Sequence, residues 1–243
     1  MTYASFARFY DAVQGDRAAA ADYARSLLER HRPDARTVLE LACGTGSVLA
    51  RLRDRYEVAG VDLSPEMLAI ARRKLPGVEL VRGDMSSVRL GRRFDAVLCL
   101  YDSVNHLLRW REWERFFDTA RAHLDRDGIL VFDVNTVDRL ARLAAMPPAV
   151  QWFDRNLLLV DVADAGRGVV DWHLRVFERT GGDRYRLHES TIPERGFPTE
   201  RIRVTLERRF RRVRVLDPQR SRPSVRSSRL WFAAAGPRPR RGA

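Results

Sequence analysis

The sequence predicts an α/β fold: a doubly wound, mostly parallel sheet of seven strands with an antiparallel β insertion before its last helix. Three observations carry this. Over the first 150 residues, short β-rich runs alternate with segments whose apolar residues recur at helical spacing. Gly44 and Gly46 fall where the first such run gives way to the first helical segment. After residue 150, longer alternating runs follow one another, separated by glycine turns. With 243 residues, 45% of them hydrophobic, the chain can bury one sizeable core.

The elements follow in order. Residues 1–36 read as a helical lid ahead of the first strand. TVLELAC (37–43) is that strand, and GSVLARLRDRY after it has helical spacing. EVAGVDL (57–63) is the second strand. SPEMLAIARRKL then opens a helix, with Ser64 at the N-cap and Pro65 at the first helical position, where its missing N–H costs nothing. VELVRGD (78–84) and the strongly apolar FDAVLCLY (94–101) are strands three and four. WREWERFFDTARAHL (110–124) is an amphipathic helix, and GILVFDVNT (128–136) is strand five. Strand and helix alternating at this spacing imply parallel pairing with helices on both faces.

Beyond residue 150, QWFDRNLLLVDVADAG, GVVDWHLRVFERTGGDRY and YRLHESTIPERG read as strands joined at Ala-Gly-Arg-Gly and Thr-Gly-Gly-Asp. FPTERIRVTLERRF (197–210) reads as a helix, and RRVRVLD and SRLWFAAA as two closing strands. The expected organisation is a lid over 1–36, an α/β core over 37–149 and an insertion over 150–195 acting as a cap or a dimer contact. The last helix and closing strands occupy 196–236, and a disordered basic tail 237–243.

Composition bounds the function. The two cysteines, Cys43 and Cys99, supply neither a disulfide framework nor a metal quartet, and no His, Cys and Asp cluster has metal-ligand spacing. No metal is therefore expected. No apolar run approaches a membrane span, and the N-terminus lacks the pattern of a signal peptide, so the chain reads as cytoplasmic. The net charge of +12 is uneven: residues 195–243 hold fifteen Arg against three acids, whereas 1–194 balance. Lys74 is the single lysine. The basic end reads either as a solvated face or as the footprint of a polyanionic partner.

The glycines decide between ligands. A dinucleotide fingerprint needs a third glycine, but Ser47, Val48 and Leu49 follow Gly46, and the P-loop lysine is absent as well. What remains is a carboxylate near the end of each of three successive strands: Glu40, Asp62 and Asp84. In a parallel sheet these line one crevice, where α/β proteins bind ligands. An acid after strand two suits a pair of ribose hydroxyls, and one after strand three can reach an adenine amino group. An acid-rimmed cleft favours a cationic ligand.

ELACGTG, VDLSPEML and GDM, in this order and spacing, resemble the class I S-adenosylmethionine-dependent methyltransferases, a Rossmann-like family, over about residues 37–136. FDAVLCLYDSVNHLL (94–108), with Phe6–Asp11 near the N-terminus, is similar to small-molecule members. These include the glycine/sarcosine and the actinobacterial aminosugar N-methyltransferases. The resemblance implies S-adenosylmethionine as cofactor and S-adenosylhomocysteine as product. It implies that Ala42, Gly44 and Gly46 approach the methionine and ribose parts and that Asp62 holds the ribose. Met67, Asp84 and Met85 would surround the adenine, and Leu100, Tyr101 and Ser103 would close over the sulfonium. Tyr23 lies at the spacing of a cofactor-lidding tyrosine, though it reads equally as a helix core residue. Tyr10 and His106 are the candidate catalytic residues facing the acceptor; each has a structural alternative, in the lid and in the loop.

Trp110 and Trp113 read as packing, and His173 and His188 as structural residues of the insertion. The acceptor is expected to be a small molecule, methylated on an amine or a hydroxyl, with natural-product biosynthesis as the expected setting. Neither a nucleic acid nor a membrane partner is expected, and a homodimer stays open. The alternative is an RNA- or protein-directed methyltransferase using the basic C-terminal segment. Leu-Tyr-Asp-Ser after strand four argues against it, since a base-methylating enzyme often carries a Pro-Pro-aromatic motif there.

Overall fold

The computed structural model describes residues 6–15, 18–224 and 226–239. Two helices, α1 (Ala7–Gln14) and α2 (Ala18–His31), precede an alternating series. This runs β1 (Thr37–Leu41), α3 (Ser47–Leu52), β2 (Glu57–Asp62), α4 (Pro65–Lys74), β3 (Glu79–Arg82), β4 (Phe94–Cys99), α5 (Trp110–Ala122) and β5 (Leu124–Asn135). Next come α6 (Val137–Ala144) and four strands, β6 (Ala149–Phe153), β7 (Asn156–Gly166), β8 (Val169–Gly181) and β9 (Arg184–Arg195). The chain then returns through α7 (Thr199–Glu207), β10 (Phe210–Leu216) and β11 (Arg229–Pro237).

Seven strands form one sheet in the order β10-β11-β5-β4-β1-β2-β3. All neighbours from β5 to β3 pair in parallel; β11 is antiparallel to both of its neighbours. From β1 the chain first winds one way, to β2 and β3, and then the other, to β4 and β5. The crevice at this switch point, outside the carboxyl ends of β1 and β4, is where open α/β sheets take ligands. The two faces are filled differently. Trp113, Phe116 and Phe117 of α5 pack on one face with Ile202 and Leu206 of α7. Leu27 and Leu28 of α2 and Leu49 and Leu52 of α3 cover the other. Each fully buried side chain of this size contributes roughly 1.5–3 kcal/mol, so covering both faces is what holds the central strands.

The second sheet, β6-β7-β8-β9, is wholly antiparallel. Its inner face, with Phe153, Leu158, Leu174, Val176 and Ile192, packs on Phe6 and Phe9.

Some boundaries differ from the sequence reading. The helix α6 went unpredicted, because its run is short and bounded by Pro147 and Pro148; Thr136 caps it by accepting the Arg139 N–H. Strand five begins at Leu124, before Gly128, and the 197–210 helix spans only Thr199–Glu207. The expected tail over 237–243 begins too early. Pro237 pairs with Phe210, and Arg238 donates to the Phe210 carbonyl at 3.0 Å, so the edge pairing of β10 carries the order further. Residues 240–243 of that tail, and residues 1–5 of the lid, lie outside the described residues. Among the described residues no helix is long and apolar enough to cross a membrane.

Candidate active site

The loop after β1 sets the first wall. Ala42, Gly44 and Gly46 have φ of 59°, 55° and 75°, the left-handed region that glycine enters freely and alanine does not. This folds the backbone back towards β2. The Gly44 N–H donates to Asp62 Oδ2 at 2.7 Å, and the Ser64 N–H donates to Asp62 Oδ1 at 2.9 Å. A carboxylate has about four acceptor positions, so Asp62 keeps capacity for a ligand. Burial raises its pKa, against the pull of the Ser64, Gly44 and Leu63 backbone donors and of His106. Nothing lies nearer to where a Gly44 Cβ would sit than the Tyr10 ring, at 3.8 Å. After β3, Asp84 accepts the Ser86 N–H at 2.7 Å, and Met85 packs on the core.

The helix α1 closes this end. Asp11 accepts from Thr45 Oγ1 at 2.6 Å and pairs with Lys74 at 2.6 Å. Burial would raise the pKa of Asp11; Lys74 and the two hydroxyls outweigh it and hold it low. From the opposite side of α1, Phe9 packs edge-on to Phe153, and Arg8 pairs with Glu178, which also bonds His188. Core and cap are thus joined through one short helix, with Tyr10 turned into the space between them.

The third wall is the loop after β4. Tyr101 and Asp102 are both left-handed, at φ 59° and 52°. Their N–H groups donate to the two oxygens of Asp133, at 2.7 and 3.1 Å. Arg229, at the start of β11, reaches Asp133 and Asp102 at 2.5 Å each. Burial lifts Asp133 to about 6, with Arg229 opposing and Asp102 reinforcing. Burial would also lift Asp102, but Arg229 and then His106 bring it below the usual carboxylate range. The Asn135 amide donates to both Asp102, at 2.9 Å, and Glu194 of β9, at 3.1 Å. Burial, and then Asp102, push Glu194 well above the ordinary range. His106 hydrogen-bonds the Pro193 backbone, and burial lowers its pKa despite the nearby Asp102.

These walls enclose one cavity of about 810 Å³. That lies in the range of roughly 300–1,000 Å³ typical of small-molecule sites. Asp62 and Asp84, after β2 and β3, stand at one end; Asn135, Arg139 and Glu194 stand on the β5 side, with Leu158, Trp172 and Ile192 of the second sheet, and His106 lies between, near enough to Asp62 for their charges to interact. A carboxylate with spare acceptor capacity and an unobstructed Gly44 backbone fit a cationic nucleoside.

A family model described as a methyltransferase domain matches residues 38–128. YqeM of Bacillus subtilis (strain 168), provisionally named a methyltransferase, is 30% identical over 96% of this chain and 97% of its own length. The chain belongs to the S-adenosylmethionine-dependent methyltransferases. It is also 44% identical, over 115 residues, to a dTDP-3-amino-3,6-dideoxy-alpha-D-glucopyranose N,N-dimethyltransferase of Streptomyces fradiae. That match spans 47% of this chain and 45% of the relative's length. In fold it matches an S-adenosylmethionine-dependent methyltransferase from Clostridium acetobutylicum ATCC 824, with a TM-score of 0.83 at 23% identity over 96% and 98% of the two chains.

In this methyltransferase the residues singled out from the sequence fall into three groups. Ala42, Gly44, Asp62, Met67, Asp84 and Met85 line the first half of the cavity. Tyr10, Tyr101, Ser103 and His106 line its middle and far half. Leu100 sits in a narrow recess behind it, with Glu40 and Cys43. Tyr23 and Gly46 are not among the residues lining the cavity. The Tyr23 ring packs edge-on to Trp231 at 4.8 Å, in the core beside α2, and does not line the cavity. A Cβ on Gly46 would meet Leu75 at 2.6 Å and Ala71 at 3.2 Å, so this glycine serves close packing of α3 on α4.

Sequence reading missed Asp133, Asn135, Arg139, Glu194 and Arg229. The acids at strand ends offered a signal for Asp133 and Asn135, which close β5. Glu194 and Arg229 lie 59 and 94 residues beyond Asn135, and no local pattern marks them. Trp110 and Trp113 stack in the core, and His173 bonds Thr191 within the second sheet. Among the described residues no group of His, Cys, Asp and Glu is placed to hold a metal.

Proposed function

We propose that this methyltransferase acts on an amine of a small molecule. One observation supports this most: a single cavity joins the Asp62 and Asp84 end to a far end where buried Glu194 stands beside His106 under a covering sheet. The similarity to an aminosugar N,N-dimethyltransferase points the same way.

When bound, S-adenosylmethionine supplies a methyl group already activated on a sulfonium. The work left to the chain is alignment, holding the acceptor atom about 3–3.5 Å from that carbon. Asp62 would hold one end of the cofactor through the ribose hydroxyls, and Asp84 and Met85 would flank the base. The Tyr101–Ser103 backbone, clamped by Asp133, and Tyr10, clamped through Asp11, define the narrow middle. An amine enters protonated and must lose that proton before it attacks. Glu194, whose burial makes it a stronger base than an ordinary carboxylate, and His106, kept neutral by burial, are the groups placed to receive it. Asp102 stays ionised against Arg229 and favours the cationic form of the incoming amine.

The test is transfer of labelled methyl from S-adenosylmethionine to matched amino and hydroxy sugars, including nucleotide-linked ones. Product on the amines supports the reading. Product on the hydroxy compounds alone, or on RNA or protein alone, replaces it.

A further inference from the structure

The far end of the cavity holds an arginine that forms no ion pair with any described residue. Arg139 projects from the first turn of α6 and lines the cavity. Its side chain makes no hydrogen bond or ion pair with any described residue, and its Nε is enclosed without an acceptor. The acids near enough to act on it are committed elsewhere: Asp102 to Arg229, Asn135 and Glu194, and Glu194 to Asn135 and Asp102. Arg229 has the opposite fate, with both Asp102 and Asp133 as partners. The neighbouring Arg142 bonds Ser228 and projects away from the cavity. On the facing wall, Trp172 of β8 also carries an enclosed N–H, Nε1, without an acceptor among the described residues. The two come from elements in contact, α6 and β8.

Arg139 is half-buried, and the enclosed part of its guanidinium has given up water without gaining a partner among the described residues. Its planar fork of N–H donors matches a carboxylate or a phosphate. We propose that Arg139 holds an anionic oxygen group, carboxylate or phosphate, carried by the acceptor, with Trp172 closing the wall beside it. The acceptor is then bipolar, with its amine at Glu194 and His106 and its anion at Arg139. This rests on the small-molecule reading and narrows its substrate class. A neutral amine of the same shape leaves the guanidinium unpaired and binds less well.

The experiment loads the full chain with S-adenosylhomocysteine and titrates it at constant ionic strength. Inorganic pyrophosphate and succinate are the two anion probes, followed by calorimetry. The wild type is expected to show saturable binding of at least one of them. In Arg139→Gln that binding weakens tenfold or more, and in Arg139→Lys by less. S-adenosylhomocysteine affinity is unchanged in both variants, which shows that the fold is retained. Preference for pyrophosphate assigns a phosphate group, and preference for succinate a carboxylate. Equal anion binding in the wild type and Arg139→Gln overturns the proposal, as does no saturable binding to the wild type. Failure of S-adenosylhomocysteine itself to bind overturns the underlying reading as well, so the two failures are told apart.

Discussion

Asp133 holds Tyr101 by its backbone: Oδ1 accepts the Tyr101 N–H at 2.7 Å while Oδ2 takes that of Asp102. Two consecutive non-glycine residues in the left-handed region cost about 1–3 kcal/mol each. The loop that crosses the middle of the cavity therefore keeps its shape only because a fully buried carboxylate on β5 and a guanidinium on β11 over-determine it.

The first prediction follows. Asp133→Asn removes the charge facing Arg229 and one of two acceptors for the loop. Breaking a buried pair costs about 3–5 kcal/mol. Urea denaturation should show a loss of that order, and methyl transfer should fall with it. Unchanged stability would mean that Asp102 alone satisfies Arg229 and that the loop needs no brace.

Asp62→Ala is expected to weaken S-adenosylhomocysteine binding. Hydrogen bonds to a charged group are worth roughly 1.5–3 kcal/mol, a tenfold loss or more by calorimetry. Part of the loss comes through Gly44, whose N–H also leans on this carboxylate. Equal affinity in the variant would remove Asp62 from the ribose role.

Gly46→Ala should behave differently. The added methyl meets Leu75 and Ala71 at a φ of +75°, a clash inside helix packing. Overpacking of this kind costs about 1–3 kcal/mol. The melting temperature is expected to drop, while S-adenosylhomocysteine affinity, measured well below the transition, stays near wild type. A selective loss of affinity without loss of stability would restore Gly46 to the ligand side.

His106 yields both a kinetic and a pH prediction. With an amine acceptor, Glu194 can still receive the proton when His106 is gone, so Tyr10→Phe and His106→Ala should slow transfer only modestly. A loss of about 10²–10⁴-fold in His106→Ala would instead mark a hydroxyl acceptor and a histidine base. In stability, burial lowers the folded pKa of His106 below its unfolded value near ~6.5. The unfolded chain then binds the proton first, so the histidine's contribution is complete above that value and declines as pH falls below it. The stability difference between wild type and His106→Asn should shrink from pH 7.5 towards 5.5 (test points chosen around that pKa). A flat difference would mean that burial does not shift His106, and one growing towards acid that the fold favours its charged form.

The sequence by itself determined the sheet and one half of the site. Strand and helix periods differ, so the alternating core could be read directly. Ala42, Gly44, Asp62 and Asp84 sit at fixed short distances from strand ends, where local chemistry announces them. Tertiary structure alone decided the rest. Tyr23 and Gly46 have local signatures that fit a ligand, and the fold packs Trp231 and Leu75 against them, neighbours that no sequence spacing places there. Glu194 reaches the cavity only because β9 lies across the carboxyl end of β5, and Arg229 only because β11 runs antiparallel beside β5. Arg139 is one arginine among many in the sequence. What sets it apart is that folding gives the nearby carboxylates to Arg229 and Asn135 first, a matter of long-range pairing that no local pattern encodes.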